Sequence, residues 1–416
     1  MNLFKSKFSK NVITLITGTT IAQAIPVIIS PILTRIYTPA DIGVLSLFTT
    51  ISIIFGNISN AKYELAIVLP DEDTDAIYLV ALSILISAIL SIILFIIVLF
   101  FNEGIANFLN NQEIKFWLYF IPIVVFLYGL FNSLINLNIR IGSYSRISKS
   151  NIYKSLTASV FQIFLGLIIS GSFGLISGNI LSYIPSNIEL SRINLKFKLA
   201  LKNLHISGLR KVGKTFIKFP KFTLSASAIN IISRYAPNIF ISSIYSSSYL
   251  GFYSIINRVL NMPLLLIGNS IGQVFTKVLA EKKRMGGNSK KIFDETLIKL
   301  FLISLPFFLI LFFTIEDIFR IVFGKNWTIA GYYCKILLPV FFMRFIAIPL
   351  SITMEIFSRQ IYNLIWQLGL LIINALIFIF TIIYKLNFTF YLVLTSACLS
   401  IYYFLNLLLS RKSCCN

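Results

Sequence analysis

Charge is what this sequence has little of, and acidic charge least: 12% of its 416 residues are charged, 15 Asp and Glu against 36 Lys and Arg. Soluble domains carry roughly a quarter charged residues, so a water-exposed globule is excluded. Histidine is nearly absent too, with His205 alone. The four cysteines, Cys334, Cys398, Cys414 and Cys415, show no metal-ligand spacing and have no second ligand cluster to pair with. That excludes a disulfide framework and a zinc site, and no cofactor or metal is expected. Cys414-Cys415 reads as a plain terminus, with acylation as the alternative.

What is present is apolar length. The chain is 57% hydrophobic with a mean hydropathy of +0.86. A run such as 77–101 is long enough to cross a hydrocarbon core of about 30 Å at about 1.5 Å per residue. Twelve such segments are expected, at 11–34, 41–61, 77–101, 115–137, 151–170, 172–188, 222–244, 250–273, 293–314, 330–352, 361–383 and 387–409. The fifth and sixth require a very tight hairpin at Ser170-Gly171-Ser172. The first carries Thr17, Thr19, Thr20, Gln23, Pro26 and Pro31 and lacks a small-residue cleavage site, so it reads as a kinked span that is kept rather than a signal peptide.

The net charge of +21 would suit nucleic acid if it were clustered without regard to the spans. It is not. Of the 36 basic residues, with Lys115, Lys154 and Lys299 near the ends of their spans assigned to the adjoining loops, 27 fall at the termini and in the even loops, five in the odd loops and four inside spans. By the positive-inside rule both termini are expected in the cytoplasm, and the case for nucleic acid falls away. The segment 189–221 is the most basic, with Lys196, Lys198, Lys202, Arg210, Lys211, Lys214 and Lys218. It reads as a topology determinant or as an interfacial segment on anionic membrane lipids.

That segment divides the spans six and six, giving an N-lobe at 1–188 and a C-lobe at 222–416. The sequence from Ile36 (IYTPADIGVLS) aligns with that from Ile244 (IYSSSYLGFYS), an offset of 208 residues. Both copies sit at the turn between the first and second spans of a half. Six spans return the chain to its starting side, so the expected fold is all-α, with two six-helix lobes related by a pseudo-two-fold axis along the membrane normal. A transporter of that design holds its substrate at the seam between the lobes.

Polar residues in the spans are striped. Ser227, Asn230, Arg234, Asn238, Ser242 and Tyr245 recur at steps of three or four and share one helical face. Ser254, Arg258 and Asn261, flanked by Asn257, repeat the design in the eighth span, and the first offers Thr20, Gln23, Ser30 and Thr34 before Arg35. Arg234 lies about 18 Å into its span and Arg344 about 21 Å into the tenth, by helical rise. A lipid-facing arginine at depth costs at least about 2.5–3.5 kcal/mol, so these faces line protein or water. Two readings stand: the arginines cap carbonyls freed near Pro237 and Pro263, or they form a cationic cavity for an anionic cargo. Carboxylates are few. Asp41, Glu64, Asp71 and Asp73 are the gate or coupling candidates. Asp41, at the outer start of the second span, and Glu64, just past its inner end, read as solvated or interfacial. Asp71-Glu72-Asp73 with Asp75 reads as a hydrated loop or helix start or, paired with the basic loops, as an inner gate.

The sequence SPILTRIYTP from Ser30, Asp41-Ile42-Gly43, KYELAIVLP from Lys62 and Asp75-Ala76 resemble the N-terminal signature of the Wzx-type O-antigen and capsular polysaccharide flippases, within the multidrug/oligosaccharidyl-lipid/polysaccharide (MOP) exporter superfamily. Leu250-Gly251-Phe252-Tyr253-Ser254 and Gly272-Gln273-Val274-Phe275 extend the likeness over the second half. Lys62 departs from it, since the family more often has arginine there, and lysine keeps the charge without the bidentate fork. The resemblance implies twelve helices, alternating access, and movement of an undecaprenyl-diphosphate-linked oligosaccharide repeat unit from the cytoplasmic to the periplasmic leaflet of the bacterial inner membrane. It implies a non-enzymatic transporter whose associates include a polysaccharide polymerase and a chain-length regulator. With the stripes, it points to Arg234 and Arg258 on the diphosphate or acidic sugars, Arg344 as a third cation, Arg35 at the outer mouth, and Asn230, Asn257, Asn261 and Gln23 on sugar hydroxyls. The rivals are a multidrug antiporter of the same superfamily and a membrane-embedded polymerase or ligase. The latter calls for a large outer loop, and the longest here, at 102–114 and 315–329, are about fifteen residues or fewer.

Overall fold

The computed structural model describes residues 7–192, 204–285, 288–357 and 359–414, and every regular element among them is helical. In chain order the α-helices are α1 (Lys7–Ile36), α2 (Pro39–Ile58), α3 (Asp73–Phe108), α4 (Ile114–Leu118), α5 (Ile121–Arg140), α6 (Tyr144–Ile168), α7 (Phe173–Leu181) and α8 (Tyr183–Leu190). They continue with α9 (Ile206–Thr215), α10 (Leu224–Ile244), α11 (Ser247–Arg284), α12 (Ser289–Ile318), α13 (Thr328–Ser351), α14 (Thr353–Ile356), α15 (Gln360–Ile383) and α16 (Phe388–Ser413). A 3-10 turn, Tyr63–Val68, lies between α2 and α3, and a π-turn, Phe219–Thr223, leads into α10.

Among the described residues, nine helical stretches are long and apolar enough to cross a membrane. The protein is therefore an all-α, multi-pass membrane protein. Three expected segments fall outside the nine. The segment 172–188 follows the hairpin, where Gly171 takes φ +83, and is broken into α7 and α8 at Ser182. That at 222–244 lies mostly within α10, whose polar stripe lowers its apolar content, and that at 250–273 lies within α11 but includes positions whose side chains are outside those described.

The long helices are built inside out relative to soluble ones. The buried side of α3 carries Ser83, Ser87, Ser91 and Asn102, whereas Ile92, Ile96 and Phe100 point outward. Hydrocarbon gives no drive to bury leucine, so helix contacts rest on small residues that let backbones approach and on interhelical hydrogen bonds. Gly129 on α5 shows this. A Cβ there would meet Ser87 Oγ at 2.1 Å and Asn60 Oδ1 at 2.8 Å. The space instead holds Asn60, whose amide donates to the Gly129 carbonyl (3.0 Å) and to Ser133 Oγ (2.6 Å). Gly129→Val should overpack this crossing by about 1–3 kcal/mol. A drop of several degrees in melting temperature in detergent, with a lower monodisperse yield, is the expected readout.

The chain divides into two compact units, Met1–Leu250 and Gly251–Asn416. The first runs past the basic segment because α10 packs along α2, with Ser227 donating to Asn57 Oδ1 (2.9 Å) and Asn238 to Thr50 Oγ1 (2.8 Å). The internal repeat reappears in the helix ends. α1 and α10 stop at Ile36 and Ile244, and α2 and α11 start at Pro39 and Ser247, all in the same 208-residue register. The two turns also touch, for a Cβ on Gly43 would lie 1.8 Å from the Ser247 carbonyl oxygen.

Within the second unit, α13 packs against α12 and α16, and α15 against α16. Trp366 stacks on Tyr402 with ring centroids 3.8 Å apart, and the Tyr402 hydroxyl donates to the Trp366 carbonyl (2.8 Å). Arg411 grips Asp294 with two hydrogen bonds of 2.7 and 2.8 Å, tying the end of α16 to the start of α12.

Candidate functional site

The stripe on α10 divides into residues the fold uses and residues it does not. Ser227 and Asn238 bind α2, and Ser242 donates to the Leu109 carbonyl (3.3 Å). Between them Arg234 is exposed and makes no hydrogen bond or ion pair with any described residue. Half-buried Asn230, one turn earlier, is likewise unengaged. The carbonyl-capping reading therefore does not hold for Arg234, although Pro237 is inside the helix. The guanidinium is held at mid-helix with all its donors available.

In the second unit Arg258 is half-buried on α11. Asn257 donates to the Tyr253 carbonyl (2.9 Å) and Asn261 to Asn257 Oδ1 (3.5 Å), so the amides form a short ladder on one face. Arg344 of α13 lies over Phe341 and Tyr403, 5.0 and 5.9 Å from the ring centroids, and within electrostatic range of Tyr253. Its Nε is buried without a hydrogen-bond partner among the described residues. An orphaned donor on a charged group is costly unless something outside the fold satisfies it. The structure thus brings Arg344, Asn257 and Asn261 into one neighbourhood. Gln23 and Arg35 are exposed on α1. Lys335 pairs with Glu316 at 3.2 Å and sits over Phe312.

The acidic candidates are placed differently from one another. Asp41 is buried at the start of α2, where its Oδ2 accepts from the Thr38 amide (2.8 Å) and hydroxyl (2.7 Å), while its own amide donates to Thr38 Oγ1 (3.2 Å). This reciprocal capping box satisfies two orphan donors of the helix. Asp71 is exposed. Asp73 opens α3 and binds Arg140 at 3.1 Å, and Asp75 binds Lys211 at 3.2 Å, which are pairings with the fourth and sixth loops. Arg140 also donates to the Pro70 carbonyl at 2.7 Å.

Glu64 is the exception, because it is 3% exposed in the 3-10 turn. Its Oε1 lies 3.7 Å from Lys62 Nζ and its Oε2 has no hydrogen-bond partner among the described residues. Burial pushes the Glu64 carboxyl above its ordinary value and the Lys62 ammonium below its own, and in each case the partner's opposing pull is the smaller effect. Lys62 adopts φ 64, the left-handed region. The sequence expectation of a solvated or interfacial carboxylate does not hold here. The turn is covered by α3, α5 and α9, a tertiary fact with no local signal.

Sequence reasoning also missed Lys154. It was assigned to a loop, yet α6 begins at Tyr144 and carries it about 15 Å along the helix. Its Nζ lies 3.7 Å from the ring centroid of Tyr183, 4.8 Å from Phe131 and 5.8 Å from Tyr128. The signal available was a basic residue just inside an apolar stretch, with aromatic residues three apart on α5.

A model of the polysaccharide biosynthesis protein family matches residues 32–330. The chain belongs to that family. No curated protein matches this polysaccharide biosynthesis protein. Among solved structures, it is similar to the lipid II flippase MurJ in an inward closed conformation, with 16% identity, 96% of this chain and 87% of that one covered, and a TM-score of 0.72. It is also similar to an inward-facing multidrug resistance MATE family transporter of the MOP superfamily (13%, 96% and 94%, 0.65). A third likeness is to a MOP superfamily transporter from Pyrococcus furiosus with a binding pocket of reverse polarity (13%, 99% and 97%, 0.62). At these identities the likeness shows the fold alone, and the fold of this polysaccharide biosynthesis protein is like that of the MurJ and MATE transporters.

Proposed function

We propose that this protein is a flippase that carries an undecaprenyl-diphosphate-linked oligosaccharide repeat unit from the cytoplasmic to the periplasmic leaflet of a bacterial inner membrane. In this reading about twelve spans form two six-helix lobes, both termini are cytoplasmic, and the glycan is O-antigen or capsule. The observation that carries it is the cationic set left unsatisfied by the fold: Arg234, with every donor available, and Arg344, with a buried orphan donor. Such groups ask for an anion, and a diphosphate presents oxygens in the bidentate geometry that arginine prefers. Arg258 and the amides of Asn230, Asn257 and Asn261 are assigned to the sugar and its charged groups. The family match and the MurJ-like fold support a lipid-linked cargo. An exporter of cationic drugs, suggested by the MATE likeness, is disfavoured by the same unpaired arginines.

The membrane potential suits the direction of transport. With the interior negative, each negative charge expelled gains about 2.3 kcal/mol per 100 mV, so a diphosphate carrying two charges gains about 4–5 kcal/mol. Two outcomes are expected. Deleting the protein should accumulate lipid-linked repeat units on the cytoplasmic leaflet, rescued by flippases of known specificity. In proteoliposomes, collapsing an inside-negative potential with valinomycin and potassium should slow flipping severalfold; an unchanged rate rules out potential-driven export.

A further inference from the structure

We infer that Lys154, Tyr128, Tyr183 and Phe131 form a binding subsite, inside the first unit, for an anionic group borne next to a sugar ring. This rests on the flippase reading above and deepens it. Lys154 sits on α6 in a box of aromatic rings from two other helices, α5 and α8. Phe131 and Tyr183 meet edge to face with centroids 6.2 Å apart, and Tyr128 and Tyr183 lie 6.4 Å apart. No carboxylate among the described residues is within ion-pair distance of Lys154, and it makes no hydrogen bond to any of them. Lys154 is half-buried, and aromatic faces attract an ammonium less strongly than the water they displace, so the box alone leaves the charge under-compensated. An anion completes it.

Three further features describe what that anion is attached to. Tyr183 is buried, yet its hydroxyl has no hydrogen-bond partner among the described residues. The Tyr128 hydroxyl bonds the Asn132 side chain and has Tyr235, the neighbour of Arg234, within electrostatic range. The box therefore adjoins the α10 stripe and joins aromatic faces to hydroxyl and amide groups. Flat aromatic surface edged with such groups suits a pyranose ring, whose apolar C–H face stacks while its hydroxyls bond at the rim. Lastly, the box has space reserved for it: a Cβ on Gly56 of α2 would lie 2.8 Å from the Tyr128 ring. The anionic group is a phosphate or a sugar carboxylate, which present the same paired oxygens to an ammonium.

The test uses the full-length protein in nanodiscs. Wild-type protein is treated with an amine-acetylating reagent, and Lys154 acetylation is read by mass spectrometry with undecaprenyl diphosphate, trigalacturonic acid or neutral undecaprenol present. Protection by undecaprenyl diphosphate alone assigns the box to phosphate, and protection by trigalacturonic acid assigns it to a sugar carboxylate. Protection by neither, or equal protection by undecaprenol, overturns the subsite. In parallel, Lys154→Gln should lose about tenfold in affinity for the protecting anion at unchanged melting temperature, with Lys154→Arg recovering most of it. Undiminished affinity in Lys154→Gln overturns the assignment. Because the acetylation arm needs no variant, a misfolded mutant does not rescue the idea. If wild-type protein binds no polyprenyl diphosphate and restores no surface polysaccharide to a flippase-deficient strain, the flippase reading falls and the subsite with it.

Discussion

Arg234→Ala should abolish surface polysaccharide while leaving protein level and membrane insertion intact. The expectation follows from what Arg234 does not do. It makes no hydrogen bond or ion pair that the fold needs, and the neighbouring stripe residues Ser227 and Asn238 hold α10 to α2 without it. Removing it costs the fold little and, on the proposed function, removes a charge-assisted hydrogen-bond partner for the cargo, a loss of about 1.5–3 kcal/mol. That corresponds to a decrease of roughly 10-fold to 150-fold in productive binding. Arg234→Lys should fall between, since it keeps the charge and loses the planar fork. Polymer on the cell surface, immunoblotted protein and lipid-linked intermediate are measured together. Normal polymer in the alanine variant removes Arg234 from the site.

The largest effect on stability is expected at Lys62 and Glu64. For both groups burial outweighs the partner's pull, so at 3.7 Å the pair does not recover its own desolvation. Breaking it from one side with Glu64→Gln leaves a buried ammonium and should cost about 3–5 kcal/mol, whereas replacing both with Lys62→Met and Glu64→Leu should be neutral or stabilise by about 1–4 kcal/mol. A double-mutant cycle on detergent melting curves reads both. The pH dependence has a fixed sign. A carboxyl whose folded-state value is raised above its ordinary 4.5 stabilises the fold while protonated, and that contribution is lost as pH rises through the raised value. The wild type should therefore lose stability on going up from pH 4.5, and the double variant should lose less. A greater loss in the double variant would show that the pair is not the source.

The sequence carries these features unevenly. The 208-residue echo of Ile36-Tyr37 in Ile244-Tyr245 lands on two helix-to-helix turns with identical start and stop positions, because turns are written locally. The cap at Thr38, missed when Asp41 is read as a gate or coupling candidate, is equally local, since a Thr three residues before an acidic residue is a helix-start signal. The polar stripe of α10 was legible as a face, but not which members the fold consumes, because that depends on α2 presenting Thr50 and Asn57 opposite. The Glu64 pair had no local signal, and the Lys154 box only a faint one. Each is assembled by helices far apart in sequence, and each looks like a loop charge until the neighbours are in place.

The docking of α9 changes the mechanics of the basic segment. Val212 is buried against α3, the Tyr63 hydroxyl donates to the Gly213 carbonyl (2.9 Å), and Phe216 and Phe219 pack on the same cluster. The part of the basic segment from residue 204 onward is thus clamped up to the π-turn Phe219–Thr223. Slack connectors let their ends diffuse independently, and clamped ones transmit displacement. Any swing of α10 relative to the docked α9 would accordingly be taken up over the one loosely wound turn Phe219–Thr223.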